Sequence, residues 1–208
     1  MNTNDGGLYI LLLSIHGLIR GQDLELGRDA DTGGQTKYVV ELLRALGARS
    51  EVGQADLLTR RVVDASVSED YAEVIEQLSD KTRIVRIECG EPGYLPKEAL
   101  WDSLDSFADN ALDYPNSQSR LPDIIHSHYA DAGYVGTRLS HQLNIPLIHT
   151  GHSLGRIKRK RLLASGMKRD AIEQRYNIAR RINAEEETLG VAERVITSTN
   201  QEIFDQYG

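Results

Sequence analysis

The stretch LYILLLSI at residues 8–15 decides the fold. It is apolar at nearly every position, which is how a strand covered on both faces reads, and such strands belong to parallel sheets. Residues 17–32, GLIRGQDLELGRDADT, follow with several glycines and charges and no periodicity. A loop of that length calls for a functional reason. Leaving the carboxyl end of a strand in an open α/β sheet, it sits where ligands bind. Residues 36–46 then place Val39, Leu42, Leu43 and Leu46 at helical spacing, and Gly47 is a stop signal.

The same alternation continues outward. Short apolar runs stand at 55–59, 83–87 (RIVRI), 123–127 (DIIHS), 146–150 (PLIHT) and 194–198 (RVITS). Between them lie helical stripes at 98–112 (Leu100, Trp101, Leu104, Phe107, Leu112), 132–143 and 170–189 (Ile172, Tyr176, Ala179, Ile182, Leu189), with one last turn at 201–207. Strands alternating with helices predict an α/β fold, a Rossmann-like parallel sheet flanked by helices.

Composition excludes several classes. The chain has 208 residues, 40% hydrophobic and 26% charged, enough to bury a core, so disorder is excluded. A net charge of −7 argues against nucleic acid as a partner. Cys89 is the single cysteine, so no internal disulfide and no CxxC framework can form. No run is long enough for a membrane helix, and residues 8–15 lack signal-peptide flanks. A cytoplasmic protein is expected.

Four constellations carry chemistry. Asp31-Thr32-Gly33-Gly34-Gln35 precedes a helix, whose free N–H groups attract an anion, and paired glycines let backbone approach it. The plainer reading makes Asp31 or Thr32 a helix cap. Residues 151–161, GHSLGRIKRKR, put His152 at a strand's end beside Arg156, Lys158, Arg159, Lys160 and Arg161, cations suited to phosphate or simply to a solvated helix face. An RNA-binding reading would want interleaved aromatics, which are missing. Arg180-Arg181 stands one turn before Glu185, which could pair with it at helical spacing. His126-Ser127-His128 and Asp131 invite a metal, since alternate strand residues share a face, but no further ligand cluster accompanies them. His126 reads as a core histidine; His128 and Asp131 are expected to face a ligand. His16 either touches ligand or braces the loop.

Taken in order, SIHGLIRG, DADTGGQTKYV, YLPKEALW, DIIHSHYADAGYVG, HTGHSLGRIKRKRLL, RRINAEE and RVITSTNQEI resemble the amino-terminal half of the sucrose-phosphate synthase family, over residues 10–208. That family consists of retaining glycosyltransferases with two Rossmann-like lobes, the GT-B architecture. The resemblance implies that residues 1–208 form the amino-terminal, acceptor-binding lobe. Gly33 and Gly34 would close over acceptor and donor phosphates, with Gln35 on the acceptor sugar. Lys97, Lys158 and Arg180 would meet the phosphate of fructose 6-phosphate. Asp131 and His152 would stand nearest the reaction centre. Glucose would move from UDP-glucose to fructose 6-phosphate, giving sucrose 6-phosphate, with no metal or other cofactor. UDP-glucose would be held through a second lobe, which is expected to be absent here, so this chain alone is expected to lack useful transferase activity. Sucrose synthase shares the GGQ and HYAD elements and would take free fructose. A non-catalytic phosphosugar-binding module is the third reading.

Overall fold

The structure is a computed structural model that describes residues 6–197 and 199–207. Strand β1 (Leu8–Leu13) leads through the long loop to α1 (Gly34–Gly47), then β2 (Val52–Arg60), β3 (Ile75–Ser79) and β4 (Thr82–Ile87). A 3-10 helix at Lys97–Ser103 runs into α2 (Leu104–Ser117). There follow β5 (Ile124–His128), α3 (Tyr129–Leu143), β6 (Leu147–Thr150), α4 (Gly155–Ala164), α5 (Arg169–Tyr176), α6 (Ile178–Val191), β7 (Arg194–Val195) and the short α7 (Asn200–Glu202).

The sheet runs β3-β4-β2-β1-β5-β6-β7. All neighbours are parallel except β3, which is antiparallel to β4. Strand β1 is central, and its alternate residues explain the unbroken apolar run. Leu11 and Leu13 pack with Leu104, Phe107 and Ala111 of α2 and Val135 and Leu139 of α3. Ile10 and Leu12 face the other way, against Val39, Val40 and Leu43 of α1. Burying each such side chain contributes about 1.5–3 kcal/mol.

The expected elements at 8–15, 36–46, 55–59, 83–87, 123–127, 132–143 and 146–150 are present, with shifted ends. The helix expected at 98–112 begins as the 3-10 helix and becomes α only at Leu104. Three further features differ. The edge strand β3 had no apolar signal, because its residues alternate between exposed and half-buried. The helix expected at 170–189 breaks at Asn177, which has φ 47° and ψ 43° and both ends α5 and starts α6. Asparagine tolerates this left-handed conformation better than most side chains. The strand expected at 194–198 keeps only two residues in β7, and Ser198 lies outside the described residues. Cys89 is buried, as a small apolar side chain would be, and burial pushes its thiol up. Among the described residues, no helix is long and apolar enough to cross a membrane.

Candidate functional site

Strands β1, β5 and β6 are neighbours and parallel, so the segments leaving their carboxyl ends share one rim. Those segments carry His16, then Tyr129 to Asp131, then His152. Two non-glycine residues there hold left-handed backbone, Tyr129 at φ 77° and His152 at φ 57°. Such strain concentrates where side chains must be aimed. At the start of the long loop, Gly17 has φ 85°, and a Cβ there would lie 2.5 Å from the Asp31 carbonyl oxygen. The loop is thus folded back until its two ends touch, which brings Asp31 to the rim.

Lys97, Glu98, Trp101, Tyr129, Asp131, Lys158, Tyr176 and Arg181 line one recess at this rim. Four of the residues singled out in the sequence, Lys97, Asp131, Lys158 and Arg181, therefore converge from distant segments. Arg180 is outside that lining. Its guanidinium lies 5.7 Å from the centre of the Trp101 ring, at the edge of the recess, and donates to Asp102 at 2.8 Å.

The cations do not stand free. Lys97 donates through Nζ to Asp31 Oδ1, and through its backbone N–H to Asp31 Oδ2 at 2.8 Å. Asp31 is therefore not the cap of α1; the cap position is Gly33, with no side-chain hydrogen bond. Lys158 Nζ lies 3.4 Å from Glu98 Oε1 and 4.0 Å from the centre of the Tyr176 ring. Burial pushes the Lys158 ammonium down, and Glu98 opposes that shift. Arg181 donates to Glu185 at 2.7 Å and to the Ser153 carbonyl at 2.8 Å, and stacks over Tyr129 at 4.4 Å. The i,i+4 pairing read from the sequence is thus real. It also serves the rim, since Glu185 accepts the Gly155 N–H at 2.7 Å and so pins the start of α4. Burial pushes the Glu185 carboxyl up, against the pull of Arg181.

Asp131 is 2% exposed, with Oδ2 2.7 Å from His16 Nδ1 and Oδ1 accepting the Ala132 N–H at 2.6 Å. His16 packs edge-on against Tyr129 at 4.7 Å between ring centres, so it braces Asp131. The two histidines of β5 and His152, just beyond β6, lie ring to ring: His126 and His128 are 4.2 Å apart, His128 and His152 5.4 Å. His128 Nδ1 lies 3.2 Å from His152 Nε2. His128 is fully buried, contrary to the expectation that it faces a ligand, whereas His126 is satisfied in the core by Thr150 Oγ1 at 2.9 Å. Burial, chiefly, lowers His152 to about 4, so its ring is neutral near pH 7 and both donates and accepts hydrogen bonds. Among the described residues, no group of three or more acidic, histidine or cysteine side chains could hold a metal ion.

Gly33 and Gly34 open α1, and no atom lies within 4 Å of a Cβ built on either. Nothing inside the protein requires glycine there. The space is open, and the first-turn N–H groups of a 14-residue helix face it without a side-chain cap. Gln35 Nε2 donates at 3.3 Å to Ser14 Oγ and at 3.4 Å to the His128 carbonyl, long bonds that a ligand could replace. Sequence reading missed Glu98, Tyr129 and Tyr176. Glu98 and Tyr129 each adjoin a residue that was singled out, Lys97 and His128, and that adjacency was the available signal.

The chain is 47% identical over 223 residues to sucrose-phosphate synthase 4 of Arabidopsis thaliana, covering 97% of this chain and 21% of that protein. It is 47% identical over 227 residues to sucrose-phosphate synthase of Zea mays, again 97% of this chain and 21% of the relative. It therefore spans about a fifth of the length of these curated relatives. Among solved structures, sucrose-phosphate synthase from Thermosynechococcus elongatus superposes with a TM-score of 0.74 at 27% identity, over 96% of this chain and 45% of that one. The profile described as "Sucrose synthase first GT-B domain" matches residues 7–207. With that match over nearly its whole length, the chain belongs to the family of the sucrose synthase first GT-B domain.

Proposed function

We propose that this chain is the acceptor side of a retaining glycosyltransferase that moves glucose from UDP-glucose to fructose 6-phosphate, giving sucrose 6-phosphate. The observation that carries this reading is the recess itself. Lys97, Lys158 and Arg181 surround it beside Asp131, at the carboxyl rim of β1, β5 and β6. Two or three cations converging from separate elements suit a phosphate ester, which offers several acceptor oxygens at once. Arg180 would reach the ester from the edge. Asp131, fixed by His16 on one oxygen, keeps lone pairs for a sugar hydroxyl. His152, neutral and held against His128, orients the sugar by hydrogen bonding. The uncapped start of α1 and the open glycine pair face the side from which a nucleotide diphosphate would approach, and its partial positive charge would stabilise the departing diphosphate. The residues that grip the nucleotide itself would come from a second lobe.

Calorimetric titration tests this. Fructose 6-phosphate is expected to bind and free fructose to bind far more weakly. Lys158→Ala is expected to cost about 1.5–3 kcal/mol in fructose 6-phosphate affinity, the scale of a charge-assisted hydrogen bond. Equal binding of fructose and its phosphate would favour an acceptor without phosphate, the reading suggested by the sucrose synthase name of the family. An unchanged affinity in the variant would place the phosphate elsewhere. The 208-residue chain alone is expected to form no sucrose 6-phosphate from UDP-glucose; measurable product would overturn the need for a second lobe.

A further inference from the structure

One carboxylate oxygen stands between the two lysines of the recess. Glu98 Oε1 is 3.4 Å from Lys158 Nζ and 3.9 Å from Lys97 Nζ. The other cations of the rim hold their carboxylates tightly. Arg180 meets Asp102 at 2.8 Å, Arg181 meets Glu185 at 2.7 Å, and Lys97 grips buried Asp31 with both its ammonium and its backbone N–H. Glu98 alone is held at long range. Its side chain is 27% exposed, and it sits in the first turn of a short 3-10 helix, from which it can swing out. Lys158 offers three donors. Among the described residues, its ammonium makes one hydrogen bond, the 3.4 Å contact to Glu98, and it also lies over the Tyr176 ring. With Glu98 in place, the open space in the recess is about 10 Å³. That holds about one water.

We propose that Glu98 is a displaceable counter-ion that sets the specificity of this recess: an ester phosphate takes the place of its carboxylate between Lys97 and Lys158, and a ligand without phosphate cannot move it. Without Glu98, the half-buried Lys158 ammonium would lose its carboxylate, while Lys97 would keep Asp31. With it, Lys158 keeps a counter-ion until a stronger anion arrives. A phosphate dianion brings more charge and more acceptor oxygens than one loosely held carboxylate oxygen, so it displaces Glu98 outward. A neutral hexose brings no charge to exchange and leaves Glu98 in place. Selectivity for the phosphorylated ligand then comes partly from a competitor built into the protein. The inference rests on the phosphosugar reading given above.

The test titrates the wild-type chain and Glu98→Gln with fructose 6-phosphate, inorganic phosphate and fructose. Glutamine keeps the shape and removes the charge. Fructose 6-phosphate and inorganic phosphate are each expected to bind the variant about three- to tenfold more tightly, the worth of one partly exposed ion pair. Fructose affinity is expected to stay unchanged, a split that a merely structural role for Glu98 would not produce. Two results overturn the inference alone: fructose 6-phosphate binding the variant no better than the wild type, or fructose gaining as much as its phosphate. If the wild type takes up neither phosphate ligand, the phosphosugar reading fails, and this inference with it.

Discussion

Asp56→Ala is expected to destabilise the folded chain by about 3–5 kcal/mol, the cost of stranding a buried charge cluster. Asp56 is fully buried in β2. Its two oxygens accept from Arg83 at 2.9 and 3.1 Å, and Oδ2 also accepts from the hydroxyls of Tyr9 and Tyr114, each at 2.8 Å, and from Gln54 at 2.7 Å. One carboxylate thus ties β1, β2, β4 and α2 together. Burial, reinforced by Asp56, pushes both tyrosine hydroxyls up, so they remain donors at every physiological pH. Alanine would leave a guanidinium, two phenols and an amide without their acceptor. Urea denaturation measures the loss. Asp56→Asn, which keeps the shape and loses the charge, should fall between the two. A loss under about 1 kcal/mol for alanine would show that water replaces the carboxylate easily. None of these groups lines the recess, so ligand affinity of the folded fraction should not move.

Acid is expected to cost still more. Burial, chiefly, lowers His126 and His149 from 6.5 to about 4 each, and carries His128 well below its ordinary value. His149 is fully buried and held by Ser127 Oγ at 2.9 Å. For a histidine whose folded pKa is depressed, the unfolded chain takes up protons first. Its stabilisation is therefore complete above about 6.5 and is lost as pH falls toward 4. For His126 and His149, the loss by pH 5 is on the order of 2 kcal/mol each. Against a typical domain stability of about 5–15 kcal/mol, that is a large share. Urea unfolding at pH 7, 6 and 5 should show stability falling steeply, with His149→Gln flattening the slope. A stability independent of pH across that range would mean that these histidines open to water.

The sequence made the alternation of strands and helices legible because most core strands are covered on both sides, and an uninterrupted apolar run needs no partner to be seen. Strand β3 was illegible for the opposite reason. IEQLS at the sheet edge buries little, so no pattern marks it. The break at Asn177 was hidden because Ile172, Tyr176, Ala179 and Ile182 keep helical spacing across it, and one left-handed residue leaves no trace in periodicity. The site was half legible. Cations stand out in a run such as GRIKRKR, whereas their counter-ions do not. Glu98 pairs with Lys158 across sixty positions, Asp102 with Arg180 across seventy-eight, and Asp31 with Lys97 across sixty-six. Charge read along the chain therefore overstated how bare the recess is.

The central place of β1 bears on how the chain is made. Its first neighbour, β2, follows soon after, and the pair can zip from Leu8↔Val52 to Leu13↔Leu58. Its other neighbour, β5, begins only at Ile124. During synthesis, one flank of this apolar segment stays unpaired until Ile124 and its neighbours have emerged from the ribosome. Closing such distant parallel pairs is slow, and an open greasy edge invites wrong pairing with other nascent chains.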